Sequence, residues 1–167
     1  MNNTNIFRQI AYFFLYILIQ IFLAKNLVLF EVAFCFVYVG FLLLLPLDTD
    51  RLVLLLLGFV LGLMIDSFYD TLGIHAFACV FIAYLRPWLI SLLAEQEVNY
   101  ISIHQTGWGW FSTYSLPLIF IHHLLIFFIE ATSFQYLATT IVKVVSSTLF
   151  TFSLVVISQY LFVSVKK

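Results

Sequence analysis

Charge is what this chain has least of. Its 167 residues include 7 Lys or Arg and 8 Asp or Glu, 9% in all, where a soluble domain carries roughly 25%. Hydrophobic residues make up 64% of it and the mean hydropathy is +1.13. That composition cannot cover a surface facing water, so the chain reads as an integral membrane protein. A net charge of −1 with no basic run excludes the electrostatic footprint of nucleic-acid binding. Cysteine is scarce too. Cys35 and Cys79 both fall in apolar runs, which excludes a disulfide framework or a zinc pattern and leaves two small buried hydrophobes. No polar segment is long enough for a separate soluble domain, so residues 1–167 read as one transmembrane domain. No H-E-x-x-H, G-x-S-x-G or P-loop spacing occurs. The chemistry-bearing residues therefore point away from an enzyme and from any cofactor.

What the chain does have is long apolar runs. A hydrocarbon core of ~30 Å needs about 20 apolar residues in a helix. Six candidate spans follow, at about 7–23, 28–45, 52–68, 72–93, 110–129 and 139–165. The runs are solidly apolar rather than alternating, which favours helices over a barrel. The expected fold class is an all-α integral membrane protein, a bundle of six transmembrane helices. The N-terminal run is bulky and no A-x-A type site follows it, so it reads as a retained first span rather than a signal peptide. Pro46 and the LDTDR turn end the second span, Asp66–Thr71 separates the third from the fourth, and Glu130–Gln135 the fifth from the sixth. Trp108 and Trp110 anchor the entry to the fifth.

Six spans put Arg8, Arg51, Arg86, Lys166 and Lys167 on one side and Lys25 and Lys143 on the other. By the positive-inside bias, both termini are expected in the cytoplasm, and Asp66, Asp70 and His75 towards the outer face.

The richest stretch is 52–87. Gly58, Gly62 and Asp66 recur every four residues and so share one helical face. Ala76, Cys79 and Ala83 make a similar small-residue face on the next span. Two readings stand: the spans pack on each other, or one face docks the transmembrane helix of a partner. Asp66, Asp70 and His75 have the chemistry of a metal site or a proton relay, against which stands a partly wet polar cluster that ends the span. Asp66 is the member expected to be buried, with Asp70 wet. His122 and His123 lie about 100° apart on a helix. One is expected to serve helix packing and the other to face an interface. With Glu130 they are the only basis for an intramembrane enzyme. Ser146, Ser147 and Thr148 are expected to bond helix backbone. Arg86 precedes Pro87, which disfavours helix at Arg86 and would turn the following segment along the interface, anchored by Trp88. Arg86 pairs with Asp48 or Asp50 in that reading, or serves as a positive-inside anchor.

At GFVLGLMIDSFYDTLGIHAFACVFIAYLRP the chain resembles the MreD family, the membrane subunit of the bacterial rod-shape machinery. The likeness rests on Gly58, Gly62, Asp66, Gly73, His75 and Ala76, with the LLPLDTDR turn before and the IAYLRP ending after. It covers about a fifth of the chain by motif, and the rest by size, span count and topology. The resemblance implies a non-enzymatic scaffold in the bacterial inner membrane that supports lateral peptidoglycan synthesis. It implies an MreC-like single-span partner, and RodA-like glycosyltransferase, class B penicillin-binding transpeptidase and MreB filaments in the same complex. It also implies a fold similar to the substrate-binding subunits of energy-coupling-factor vitamin transporters, and such a subunit is the alternative function. Those subunits dock through Ala-x-x-x-Ala on an early span, which the first span here lacks. Partner-binding residues expected from the two lines together are Gly58, Gly62, Asp66, Gly73, His75 and Arg86.

Overall fold

The computed structural model describes residues 3–93, 101–131 and 137–162. The long helices are α1 (Asn3–Phe22), α3 (Arg51–Tyr69), α4 (Ile74–Leu93), α5 (Ile103–Glu130) and α6 (Leu137–Phe162). These five are long and apolar enough to cross a membrane. Between α1 and α3 lie a 3-10 turn (Ala24–Asn26), two short strands, β1 (Val28–Leu29) and β2 (Ala33–Phe34), and a six-residue helix, α2 (Val39–Leu44).

The expected second helical span, 28–45, is therefore corrected: it is not a continuous helix. It crosses the bundle nonetheless. Lys25 donates to the carbonyl of Phe68, which puts the C-terminal ends of α1 and α3 together. Gly62 of α3 faces Ala76 of α4 and Gly58 faces Ala83, so α4 runs antiparallel to α3. Arg86, towards the C-terminal end of α4, donates to the carbonyl of Leu45. Residues 27–45 thus run from the end of the bundle where α1 finishes to the end where α3 starts. His104 packs on Tyr160, ring centroids 5.2 Å apart, so α6 ends where α5 begins. Among the described residues the chain thus traverses the bundle six times, five times as a helix and once along a broken path. The start of α1 and the end of α6 lie at one end of the bundle, the near end. Arg8, Arg51 and Arg86 fall in the near half and Lys25 and Lys143 in the far half, as the charge pattern anticipates. Lys166 and Lys167 lie outside the described residues.

Non-helical backbone at membrane depth is tolerated only where protein covers it and satisfies its polar groups. The broken crossing meets that condition. Residues Cys35 to Leu43 are all buried. β1 and β2 pair antiparallel, with Val28 opposite Phe34 and Leu29 opposite Ala33. The amides beyond the ladder are served by other spans. Phe34 N–H donates to Ser147 Oγ at 2.8 Å and Phe36 N–H to Thr151 Oγ1 at 3.1 Å. Gln20 Nε2 donates to the Cys35 carbonyl at 2.9 Å, and Gln20 Oε1 accepts from Tyr38 N–H at 3.4 Å. Ser146 Oγ donates to the Val32 carbonyl at 3.2 Å. Thr148 bonds its own helix as expected, at Val144 O, 2.7 Å. Ser147 is instead spent on the broken crossing.

Two further boundaries differ from expectation. Pro87 sits inside α4, which continues to Leu93, where Trp110 Nε1 caps the Leu93 carbonyl at 2.9 Å. A proline within a helix costs one backbone hydrogen bond, and packing of α4 between α3 and α5 outweighs it. α5 starts at Ile103 rather than Trp110, with a break at Gly107, whose φ of 78° suits glycine. Ser102 caps that first turn, accepting from Gln105 N–H at 3.3 Å.

Candidate functional site

The six sequence-predicted site residues fall into two places. Gly58, Gly62, Asp66, Gly73 and His75 build the α3–α4 junction. Arg86 sits apart, near the other end of α4.

At the junction, α3 ends in an αL residue, here Asp70 at φ 56° rather than glycine. The amide of Thr71 bonds back to Asp66 O at 3.2 Å, as in a Schellman close. Gly73, at φ 86°, then reverses the chain, in a conformation L side chains rarely adopt. Four residues therefore turn one helix into the next. The Asp66 carboxylate is held by that turn. Oδ1 accepts from His75 N–H at 3.0 Å and from Thr71 Oγ1 at 2.5 Å, and Oδ2 accepts from Ala76 N–H at 2.9 Å. The first amides of a helix have no intrahelical acceptor and carry its positive dipole end. Asp66, 3% exposed, is thus a capping carboxylate for α4 supplied by α3. Asp70 is exposed, so burial separates the two acids as expected.

Gly58 and Gly62 face inward. A Cβ on Gly62 would lie 2.6 Å from Ala76 N and from His75 O, closer than real Cβ atoms come. A Cβ on Gly58 would lie 3.2 Å from Cys79 O and 3.3 Å from Ala83 Cβ. The glycine face and the Ala76–Cys79–Ala83 face are packed on each other. The expectation that Gly58, Gly62 and Asp66 present a free docking face to a partner helix is corrected: α4 fills that face.

Beyond its backbone contact with Asp66, His75 enters a cluster that sequence reasoning missed. Its Nδ1 lies 2.6 Å from Tyr38 Oη, and the same hydroxyl lies 2.9 Å from His122 Nε2. Cys79 Sγ lies 3.9 Å from His122 Nε2. His123 takes a different route. Its Nδ1 is 2.8 Å from the Ile119 carbonyl, so that nitrogen carries the proton and Nε2 accepts from Thr151 Oγ1 at 3.1 Å. Thr151 relays the bond from Phe36 N–H into His123. Both histidines are fully buried, which corrects the expectation that one faces an interface. Their rings lie 5.5 Å apart, edge to face, and each has its own hydrogen-bond partner, Tyr38 for His122 and Thr151 for His123. The signal in the sequence was the polar residues themselves: Gln20, Tyr38, His75, His122, His123 and Thr151 each interrupt an apolar run. Their mutual proximity was not legible, because it depends on a crossing that is not a helix.

Arg86 is 2% exposed and meets no expected carboxylate. Its Nε donates to Tyr114 Oη at 2.9 Å, and its guanidinium also reaches the carbonyls of Leu45 and Pro46. Tyr114 Oη in turn donates to Leu43 O at 2.9 Å. A cation at the C-terminal end of α2 meets the negative end of its dipole and its last carbonyls. Asp50 is engaged elsewhere, capping α3 through Leu52 N–H at 2.8 Å and Val53 N–H at 3.2 Å.

Among the described residues no group of three His, Cys, Asp or Glu side chains is placed to hold a metal ion. The cluster offers hydrogen-bond donors and acceptors around an aromatic core, and the junction offers rigidity. No family model, curated protein or solved structure matches the chain.

Proposed function

We propose that the chain is a non-enzymatic membrane scaffold of the MreD type, a subunit of a bacterial rod-shape complex in the inner membrane. One observation carries the reading. The residues on which the resemblance rests form one working piece of architecture: Gly58 and Gly62 bring α3 onto α4, Gly73 turns the chain, and Asp66 locks the turn onto His75 and Ala76. The likeness in fold to vitamin-transporter subunits belongs to the same reading, and so does a cytoplasmic near end.

With the glycine face filled by α4, the MreC-like helix docks on an outward face. The exposed residues of α3 include Leu52, Leu56, Phe59, Val60 and Leu63, all apolar. Lipid gives helices no hydrophobic reason to associate, so such a partner needs shape complementarity rather than burial alone.

The test is co-purification of the tagged full chain with the MreC-like protein of the same bacterium, alongside depletion in rod-shaped cells. Expected are a stable complex and rounding of the cells. Unchanged rods together with no complex would overturn the reading. Recovery with a pair of transporter ATPases would establish the vitamin-transporter alternative in its place.

A further inference from the structure

The broken crossing places one aromatic ring, Phe36, at the centre of the histidine cluster. Its ring centroid lies 5.2 Å from those of His75 and His123, 6.0 Å from that of Phe127, and 6.1 Å from those of Tyr38, Tyr69 and His122. Phe36 is 4% exposed. An apolar ring therefore fills a socket walled largely by imidazoles and phenols.

The fit is incomplete in a specific way. Two buried ring nitrogens in that wall, His75 Nε2 and His122 Nδ1, have no hydrogen-bond partner among the described residues. Tyr38 Oη has one proton and sits between the other nitrogens of the same two rings. When it donates to one imidazole and accepts from the other, one orphan nitrogen is an N–H donor and the other a bare acceptor. Unpaired polar groups in an apolar interior are costly, and a phenyl ring satisfies neither. A flat ring carrying both a donor and an acceptor would.

The segment that carries Phe36 is built to be separable. It is not part of a helix, and past the two-pair ladder that ends at Phe34 it is held by side chains from α1 and α6. Its hairpin tip, Phe30 and Glu31, holds two non-glycine residues at φ 53° and 62°. In that left-handed region an L side chain is strained.

We propose that this socket is a binding site for a small planar heteroaromatic molecule, and that Phe36 is a built-in occupant that keeps it closed. Ligand entry and withdrawal of residues 33–38 are then one event. The proposal is independent of the scaffold reading.

Benzimidazole, a flat ring with one N–H and one acceptor nitrogen, is the probe, and toluene is the apolar control. The full chain in detergent is compared with Phe36→Ala, which removes the competing ring. Expected is benzimidazole binding at least about tenfold tighter in Phe36→Ala than in the wild type, and a loss of about tenfold when His75→Leu is added, the worth of one hydrogen bond. Toluene binding should ignore His75. Equal benzimidazole affinity in the wild type and Phe36→Ala would overturn the proposal. So would toluene binding as tightly as benzimidazole, since the socket would then be ordinary apolar core. A second measurement on the wild type alone guards against a variant that fails to fold. At saturating benzimidazole, exchange of the Phe34, Phe36 and Tyr38 amides should accelerate, because their acceptors are left behind. Unchanged exchange would overturn the proposal equally.

Discussion

Asp66 closes the helix that follows its own: its carboxylate, in the last turns of α3, accepts the Ala76 amide at 2.9 Å in the first turn of α4. Two helices joined by a four-residue turn are thereby fixed at a point as well as along a face. The glycine face brings the backbones together, and the carboxylate sets how far one slides past the other.

Asp66→Leu should remove all three acceptor contacts and leave two helix amides unsatisfied in a dry site. A hydrogen bond to a charged group contributes about 1.5–3 kcal/mol. Thermal unfolding in detergent should show a large loss of stability for Asp66→Leu and little for Asp70→Leu, whose carboxylate is exposed. Equal losses would remove the capping role.

Gly62→Ala should be the most damaging single methyl in the chain. The added carbon meets backbone of α4 rather than a movable side chain end. Overpacking typically costs about 1–3 kcal/mol even where neighbours can shift. Gly58→Ala, with contacts of 3.2–3.3 Å, should be milder. Yield of folded protein and its melting temperature rank the two, and the reverse order would refute the register.

Tyr38→Phe deletes one oxygen and strands two imidazole nitrogens, at 2.6 and 2.9 Å. The expected loss is about 1–3 kcal/mol. In a double-mutant cycle with His122→Phe, the two losses should be far from additive, because they break one shared contact. Additive losses would mean that the hydroxyl is not shared.

Arg86→Lys keeps the charge and loses the fork. Lysine cannot serve Tyr114 and two carbonyls at once in the same plane. The exchange should therefore destabilise nearly as much as Arg86→Met. Full rescue by lysine would reduce Arg86 to a point charge.

Cysteines introduced at Asp48 and at Asp70 should react with impermeant reagents from opposite sides of a sealed vesicle, since the two turns lie at opposite ends of the bundle. Labelling from one side would contradict six crossings.

The sequence patterns that were legible are those set locally. Apolar run length places the crossings, the four-residue recurrence puts Gly58, Gly62 and Asp66 on one face, and the cost of a charge in lipid singles out Asp66 for burial. The broken crossing was not legible. Residues 28–45 are as apolar as a helix, and what keeps them from being one lies in Gln20, Ser147 and Thr151, on other spans. Arg86 illustrates the same limit. Charge logic sends it to Asp48 or Asp50, whereas the carbonyls at the end of a short helix that sequence does not announce claim it first. The glycine face was ambiguous for another reason: self-packing and partner docking require the same small residues, and only coordinates say which surface arrives.

The broken crossing also constrains how the molecule is made. The hydroxyls that receive the Phe34 and Phe36 amides are synthesised more than a hundred residues later, on the last helix. Until α6 enters the bilayer, the chain from Val28 to Tyr38 cannot rest in its final path at membrane depth, because the Phe34 and Phe36 amides would lack their acceptors. The second crossing is therefore the last to be completed, although it is the second to emerge. The newborn chain must shelter it at the surface or as a provisional helix. A nascent chain stopped before residue 147 would carry the whole glycine junction and still lack its centre.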